Sequence, residues 1–264
     1  MNSVILLIPH FNNPEGLCKS LQSIGLNECV DILIVDDGSK KQQIDEAALK
    51  LIFKAKGTIY FEYLQENQGI ENALNHGLQF ILTKQYQYIA RLDCGDLCLG
   101  ERFRIQQQFL TENREIKIVG TNVIAVGIDD KFLYKLTMPE KDEEIRNKMY
   151  FNSMLIHPTV MFSKEILTTV GLYPTQYKWA EDYAFFFSII EQHKAYNIQE
   201  YLSQIEINND GISITKRKQQ VKSRINIVKA HFYFGFYPIY GLLRNYVLLY
   251  MPYQWIFRIK KIKQ

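Results

Sequence analysis

Several patterns that would assign a function at once are missing from this sequence. The four cysteines form no Cys-x-x-Cys pair and no cluster of histidines accompanies them, so a zinc site is not expected. Neither Gly-x-Gly-x-x-Gly nor Gly-Lys-[Ser/Thr] occurs, which argues against a dinucleotide fold and against a P-loop. No run of about 20 apolar residues predicts a transmembrane helix, and the first ten residues lack the basic start of a signal peptide. These absences favour a cytoplasmic protein with reduced thiols.

Acidic residues are absent from the last part of the chain. Positions 211–264 hold 11 Lys or Arg and no Asp or Glu, whereas the first 210 residues hold all 28 acidic residues. Within this part, Phe232–Phe257 combines aromatic residues and leucines with two prolines. A basic, aromatic segment favours attachment to an anionic membrane surface, although a helical pair packed on the body with a solvated basic face has the same composition. We therefore predict a main domain at 1–215 and a basic aromatic helical region at 216–264.

Strands and helices are predicted to alternate through the first half of the chain. Buried strands are expected at 4–8, 32–35, 58–64 and 86–92. The segments between and after them have helical patterns, which indicates a mostly parallel sheet flanked by helices. Later strands are predicted at 116–126, 131–136 and 201–207. Later helices are predicted at 140–150, 181–192 and 216–230.

Two carboxylates, Asp36 and Asp37, directly follow the second predicted strand. Open α/β sheets bind ligands at the carboxyl ends of their strands, so these side chains are placed for a ligand. Capping of the next helix is the alternative interpretation. Phe11 follows the first strand, where it is placed either to stack on a base or to join the core. A carboxylate such as Asp36 can accept the imide N–H of uracil or thymine.

A glycine, Gly69, is predicted to start the helix after the third strand. The N-terminus of a helix favours an anionic group such as a diphosphate. Small and polar residues, among them Asn72 and Gly77, then recur at helical spacing. The same spacing is equally expected from a helix packed closely on the sheet.

Acidic pairs occur at two further points. Asp93 and Asp96 follow the fourth strand, and carboxylates beside a diphosphate suit Mg²⁺ or Mn²⁺. A turn stabilised by aspartates is the alternative. Glu181 and Asp182 begin a predicted helix, where the helix dipole favours acids in any case. A functional role there requires a carboxylate that takes a proton from an attacking hydroxyl, and His157 is placed to line the same cleft.

Together these segments resemble the family 2 glycosyltransferases of the GT-A, nucleotide-diphospho-sugar fold. The resemblance spans about residues 3 to 190. The segments that carry it are Ile8-Pro9-His10-Phe11-Asn12, Val35-Asp36-Asp37-Gly38-Ser39, Asn67-x-Gly69 with Asn72-Ala73-x-Asn75-x-Gly77, Ala90-Arg91-Leu92-Asp93-x-x-Asp96, His157-Pro158 and Glu181-Asp182.

The resemblance implies roles for individual residues. Asp182 is the expected general base, and Asp93 with Asp96 is the expected site for Mn²⁺ or Mg²⁺. The family commonly has Asp-x-Asp-Asp in this motif, and Gly95 replaces one acid, which implies weaker metal dependence or an ion held by Asp96 alone. The residues expected to bind the nucleotide sugar are Pro9, Phe11, Asn12, Asp36, Asp37, Asn67, Gly69, Asn72, Arg91, Asp93 and Glu181.

The resemblance also implies an activity. We expect an inverting enzyme that moves one sugar from a nucleotide diphosphate sugar, most simply a UDP-sugar, to a polyprenyl-diphosphate-linked glycan in cell-surface polysaccharide synthesis. Because the Gln-x-x-Arg-Trp signature of processive synthases is absent, one sugar is expected per encounter. We expect the protein on the inner face of the plasma membrane, with an anionic membrane surface as a partner and no nucleic acid. The alternatives are a nucleotide-sugar-binding protein without catalysis, a nucleotidyltransferase, and a structural protein of the membrane surface.

Overall fold

A mixed sheet of nine strands forms the centre of the part of the chain that the computed structural model describes, residues 2–207 and 215–251. Its order is β3-β2-β1-β4-β8-β6-β9-β5, and β7 pairs with β6. The strands are β1 Val4–His10, β2 Asp31–Asp36, β3 Ile59–Tyr63, β4 Tyr88–Arg91, β5 Leu97–Cys98, β6 Ile116–Gly127, β7 Phe132–Leu136, β8 Met161–Ser163 and β9 Lys194–Ile207.

Helices cover both faces of this sheet. They are α1 Pro14–Gln22, α2 Glu46–Ile52, α3 Ile70–Leu82, α4 Arg102–Glu112, α5 Asp142–Met149, α6 Leu167–Val170, α7 Glu181–Gln192, α8 Arg217–Ala230 and α9 Phe236–Tyr250. Two clusters of buried side chains, one on each face of the sheet, form the core. The α/β class predicted from the sequence is confirmed.

Local sequence sets where the first helices begin. Asn13 caps α1 by accepting a 3.0 Å hydrogen bond from the N–H of Gly16, and Pro14 occupies the first helical position. Asp45 caps α2 in the same way, through the N–H of Ala48 at 3.0 Å. The second helix therefore begins at Glu46, directly after this cap.

The four strands predicted in the first half are present and parallel. β1 lies between β2 and β4, and β3 pairs with β2. Residues 4–8 of β1 are fully buried, as expected for a strand covered on both faces. This arrangement brings the ends of β1, β2 and β4, with the acids that follow them, to one edge of the sheet.

The other half of the sheet departs from the prediction. β8 runs antiparallel to both β4 and β6, and β9 pairs in parallel with β6 over most of its length. Neither β5 nor β8 was predicted, because two or three residues are too few to show a period. β9 begins at Lys194, seven residues before the predicted start, where pairing with β6 overrides a polar sequence.

The C-terminal helices pack on the body of the protein. Val221, Ile225 and Val228 of α8 are buried, and α9 packs along α8. Tyr150 donates a 2.9 Å hydrogen bond to the carbonyl of His231, between the two helices. No helix among the described residues has the length and apolar character needed to cross a membrane. Residues 252–264 of the predicted basic region lie outside the described residues.

Candidate active site

The ends of β1 and β2 are joined by a buried pair, His10 and Asp36. His10 Nδ1 lies 2.8 Å from Asp36 Oδ2, and the backbone N–H of Asn13 donates to His10 Nε2 at 3.1 Å. Because Nε2 accepts that bond, Nδ1 carries the proton and donates to Asp36. The other oxygen of Asp36 accepts the N–H of Ser39 at 2.6 Å. His10 was not singled out from the sequence, although it lies in the first motif.

The loops after these strands are tied together beside Phe11. The N–H of Asn12 donates to Ser39 Oγ at 2.8 Å, and Asn12 adopts a positive φ of 49°. Phe11 is 47% exposed, which leaves its ring free to contact a ligand. Pro9 pairs with Val35 inside the sheet. Thus Pro9, Phe11, Asn12 and Asp36 lie at one end of the β1–β2 pair.

Asp37 connects the end of β2 to the start of α3. Its two oxygens accept the backbone N–H groups of Gln68 at 2.8 Å and Gly69 at 3.0 Å. Burial raises the pKa of Asp37 more than these two bonds lower it. Asp37 therefore fixes the turn that precedes α3, and it does not cap α2, the next helix along the chain, whose cap is Asp45.

Glycines allow the segment before α3 to approach this strand end. A Cβ on Gly38, whose φ is +72°, would lie 2.4 Å from the backbone of Glu66. Gly69 also has a positive φ, 95°, where a side chain would be strained. The exposed Asn67 thereby lies next to the turn after β2, and Asn72 donates to the carbonyl of Gln68 at 2.8 Å.

Arg91, at the end of β4, is fully buried and holds several groups together. It donates to Asp93 Oδ1 at 2.7 Å and to His157 Nε2 at 3.3 Å. Tyr173 donates to the same nitrogen of His157 at 2.9 Å. Burial, and then the charge of Arg91, hold the pKa of His157 well below its ordinary value. His157 is therefore a neutral acceptor that orients Arg91, and Arg91 in turn positions Asp93.

The predicted metal motif forms a turn at the end of β4. The N–H of Asp96 donates to the carbonyl of Asp93 at 3.1 Å, and Gly95 takes a positive φ of 106° at the centre of the turn. Asp96 Oδ1 accepts the N–H of Glu206 in β9 at 3.0 Å. The glycine that replaces the usual acid thus occupies a backbone position where a side chain is strained.

Two carboxylates, Asp93 and Asp96, are the ligands that this motif offers a cation. Burial and the negative charge of Asp93 raise the pKa of Asp96 well above its ordinary value, and a bound cation would relieve that repulsion. Oxygen ligands of this kind suit Mg²⁺ or Mn²⁺, which retain several waters. Among residues 2–207 and 215–251, no group of three acids, histidines or cysteines is arranged to hold a metal. Two carboxylates alone would supply only part of the coordination shell of such a cation.

Glu181 and Asp182 open α7 at the wall of a cleft of about 860 Å³. Burial, and then the charge of Asp182, raise the pKa of Glu181 to about 8. Burial also raises the pKa of Asp182, whereas the charge of Arg224 lowers it. Asp93 and His157 line the same cleft. The structure thus brings Asp93, His157, Glu181 and Asp182 together, while Asp36 and Asp37 lie with the β1 and β2 loops.

The sequence matches a family model described as Glycosyl transferase family 2 over residues 5–171. The chain belongs to this family. The matched region contains the β1, β2 and β4 strand ends, and the Glu181-Asp182 pair lies beyond it. The chain is accordingly an enzyme of the glycosyltransferase class.

Two glycosyltransferases of bacterial polysaccharide and O-antigen biosynthesis are similar to this chain, one over most of its length and one over less than half. The amylovoran biosynthesis glycosyltransferase AmsE of Erwinia amylovora is 24% identical over 232 residues, which cover 87% of this chain and 85% of AmsE. The O-antigen biosynthesis glycosyltransferase WbnJ of Escherichia coli is 28% identical over 120 residues, 45% of this chain and 46% of WbnJ. Some family 2 relatives of this glycosyltransferase thus act in polysaccharide biosynthesis.

Solved structures confirm the GT-A fold. S. aureus TarS matches with a TM-score of 0.66 and 14% identity, over 94% of this chain and 44% of the TarS chain. The mannosyltransferase PcManGT of Pyrobaculum calidifontis, solved with GDP-Man and Mn²⁺, matches with a TM-score of 0.63 and 13% identity, over 96% of this chain and 71% of PcManGT. This family 2 glycosyltransferase therefore spans less than half of that TarS chain.

Proposed function

We propose that this glycosyltransferase moves a single sugar, with inversion, from a UDP-sugar to a polyprenyl-diphosphate-linked glycan in cell-surface polysaccharide synthesis. The observation that carries the proposal is the position of Asp182 in the cleft that Asp93 also lines. A direct displacement requires one carboxylate at the proposed donor diphosphate and a second one in the same cleft that can act as the base.

Asp182 is the proposed general base. It accepts the proton of the acceptor hydroxyl as the hydroxyl oxygen forms a bond to the anomeric carbon. The bond from that carbon to the diphosphate breaks, and the nucleoside diphosphate leaves with the electron pair. Burial raises the pKa of Asp182 toward the range in which a base is effective, and the charge of Arg224 limits this rise by lowering the pKa.

Asp93 and Asp96 are the proposed ligands of a Mg²⁺ or Mn²⁺ ion. Such an ion, when bound, would neutralise charge on the departing diphosphate. Arg91 donates a 2.7 Å hydrogen bond to Asp93, and the backbone N–H of Glu206 donates one to Asp96, so both carboxylates are fixed in position. PcManGT, a structural neighbour, was solved with Mn²⁺.

The ends of β1 and β2 are the proposed nucleoside site. Phe11 offers an exposed ring for stacking, and Asp36 is a carboxylate with lone pairs left to accept the imide N–H of uracil. S. aureus TarS, which shares this fold, was solved with UDP-GlcNAc. These observations support a uridine donor.

The C-terminal helices support a membrane-linked acceptor. Along α9, large apolar side chains are exposed at helical spacing, including Phe236, Leu243 and Tyr250. The residues from 211 onward carry many cations and no acid. An apolar stripe beside cations suits the interface of an anionic bilayer, so we propose that the protein lies on the inner face of the plasma membrane.

Replacement of the proposed base tests the function. A thermal-shift screen of UDP-, GDP- and dTDP-sugars with Mn²⁺ first identifies the donor, and transfer to synthetic polyprenyl-diphosphate glycans is then measured. We expect Asp182→Asn to lower kcat by about 10²–10⁴-fold with little change in donor Kd. Asp129→Asn, in an exposed turn, is the control. Near-normal turnover by Asp182→Asn would exclude it as the base, and absence of donor binding by the wild type would refute the transferase proposal.

A further inference from the structure

Two arginines from the C-terminal helices converge beside the proposed base. Arg224 of α8 lines the cleft, and its guanidinium lies 5.8 Å from the centre of the Tyr183 ring. Arg244 of α9 is close enough for the charge of Arg224 to lower its pKa, after burial, and it donates to the carbonyl of Phe151. Burial raises the pKa of Tyr183, the residue after Asp182, and the charges of both arginines lower it. The chain thus places two like charges together in a partly desolvated position.

Neither arginine forms an ion pair within residues 2–207 and 215–251. In the described parts of the chain, no carboxylate lies within 4.0 Å of a guanidinium nitrogen of Arg224 or Arg244. Arg224 Nε is buried and has no hydrogen-bond partner there. A buried donor without a partner is costly, since it loses its water and gains nothing in return. An anionic ligand would satisfy it.

Two other unpaired polar atoms belong to residues that line the same cleft. Asn152 Oδ1 and Glu181 Oε2 are buried and have no hydrogen-bond partner in the part of the chain that the structure describes. These oxygens can accept hydrogen bonds from hydroxyl groups, and Arg224 Nε–H can donate a hydrogen bond to an anion. A ligand that fits all three carries sugar hydroxyls next to an anionic group.

We propose that Arg224, supported by Arg244, binds a phosphate of the acceptor. The proposal rests on the proposed function, which supplies an acceptor with a diphosphate next to its sugar. Arginine suits this role because its planar fork matches phosphate oxygens. Because α8 carries Arg224 and α9 packs on α8 with its apolar stripe exposed, the helices that would meet the bilayer also form the phosphate site. A phosphate at Arg224 would lie in the cleft that Asp182 also lines, where the attacking hydroxyl must arrive.

Binding of inorganic pyrophosphate tests the site without any transfer step. Pyrophosphate is titrated by calorimetry into wild type, Arg224→Gln, Arg224→Lys and Lys222→Gln, with EDTA present so that no metal contributes. Lys222 is exposed on the same helix, so its variant removes the same charge outside the cleft. We expect Arg224→Gln to weaken binding about 10-fold to 100-fold, the loss typical of one charged hydrogen bond. Lys222→Gln should bind as the wild type does.

The donor site must be separated from this one. EDTA removes the cation on which diphosphate binding at Asp93 and Asp96 would depend, so the pyrophosphate that still binds reports the Arg224 site. Equal affinities for wild type and Arg224→Gln would overturn the proposal, as would equal losses in Lys222→Gln or no binding by the wild type. An Arg224 variant that binds pyrophosphate normally and only shifts the pH profile of kcat would assign Arg224 to Asp182 alone, which also overturns it.

Arg224→Lys and Arg244→Gln keep the test decisive if Arg224→Gln does not fold. Lysine retains the positive charge but lacks the planar guanidinium. We therefore expect the pyrophosphate affinity of Arg224→Lys to lie between those of the wild type and Arg224→Gln. Arg244→Gln should weaken pyrophosphate binding less than the loss of Arg224 itself, and no weakening in either variant would overturn the proposal. A short alkyl diphosphate sugar, compared with pyrophosphate, distinguishes a lipid-linked acceptor from a free phosphate. These measurements of binding do not depend on turnover, so failure of the phosphate-site proposal can be distinguished from failure of the transferase proposal.

Discussion

Asp37 accepts a 3.0 Å hydrogen bond from the backbone N–H of Gly69, which ties the end of β2 to the start of α3. We expect Asp37→Ala to destabilise the protein by about 1–3 kcal/mol, because two backbone N–H groups lose a charged acceptor. Urea unfolding followed by circular dichroism measures the change. Asp45→Ala, which removes the single capping bond of α2 at an exposed site, should cost less. Equal stability of Asp37→Ala and wild type would contradict this role.

Glu181→Gln should stabilise the protein at neutral and alkaline pH. The pKa of Glu181 is raised from 4.5 to about 8, so the folded state holds a proton that the unfolded state releases between these values. Each pH unit in that window removes up to about 1.4 kcal/mol of stability from the wild type. Glutamine does not ionise, so the Glu181→Gln variant does not lose stability in this way as the pH rises. Its melting temperature in EDTA should therefore exceed that of the wild type at pH 8 and match it at pH 4.5, and a constant difference across this range would refute the buried proton.

Gly95→Ala and Gly95→Asp should both destabilise the protein by about 1–2 kcal/mol, because residue 95 has a positive φ. The aspartate restores the acid that the family commonly has, yet the backbone cost is the same for both variants. Gly25→Ala is the matched control, since a Cβ there meets only ordinary contacts. Chemical denaturation measures all three, and a stable Gly95→Asp variant would show that the turn readily accepts a side chain.

Asp93→Asn should weaken both the fold and the metal site. Arg91 is fully buried and loses its carboxylate partner, but Asp93 is partly exposed, so the cost is on the order of 1 kcal/mol and below that of a fully buried pair. We also expect the increase in melting temperature that UDP and Mn²⁺ produce together to disappear. Asp129→Asn, in a surface turn, should keep it. Retention of the full Mn²⁺-dependent increase by Asp93→Asn would remove this residue from the proposed metal site.

Replacement of Phe236, Leu243 and Tyr250 by serine should release the protein from anionic liposomes in a flotation assay. These side chains are exposed on α9, so their loss removes the apolar part of the proposed membrane contact. Serine at Leu26, Leu51 and Leu82, which are exposed on the main body, is the control and should leave binding unchanged. Undiminished binding of the α9 variant would contradict the role of this helix.

The sequence allowed prediction of what is local to each strand end. Buried strands such as residues 4–8 and the acids that follow them have short-range patterns, and Asp36, Asp37 and Asp93 indeed lie at the ends of β2 and β4. α7 was predicted with both of its ends, because a long apolar period follows an acidic first turn.

Contacts between distant parts of the chain could not be predicted in the same way. Arg91 reaches His157 across 66 positions, and Asp37 binds the backbone of Gly69 across 32 positions. Arg224 lies far along the chain from Asp93, yet both line one cleft. Within its own segment each of these residues fits an ordinary polar surface, so only the packing of the whole chain assigns its role.

The hydrogen bond from Glu206 to Asp96 also determines when the site can be completed during synthesis. Chains are made from the N-terminus, and β1 to β4 are available for pairing long before β9 emerges. A ribosome-bound chain that stops before Glu206 therefore already has the strand ends proposed for the nucleoside. Its Asp96 still lacks the hydrogen bond from the backbone N–H of Glu206. We expect such nascent chains to be unable to turn over donor until most of the protein has left the ribosome.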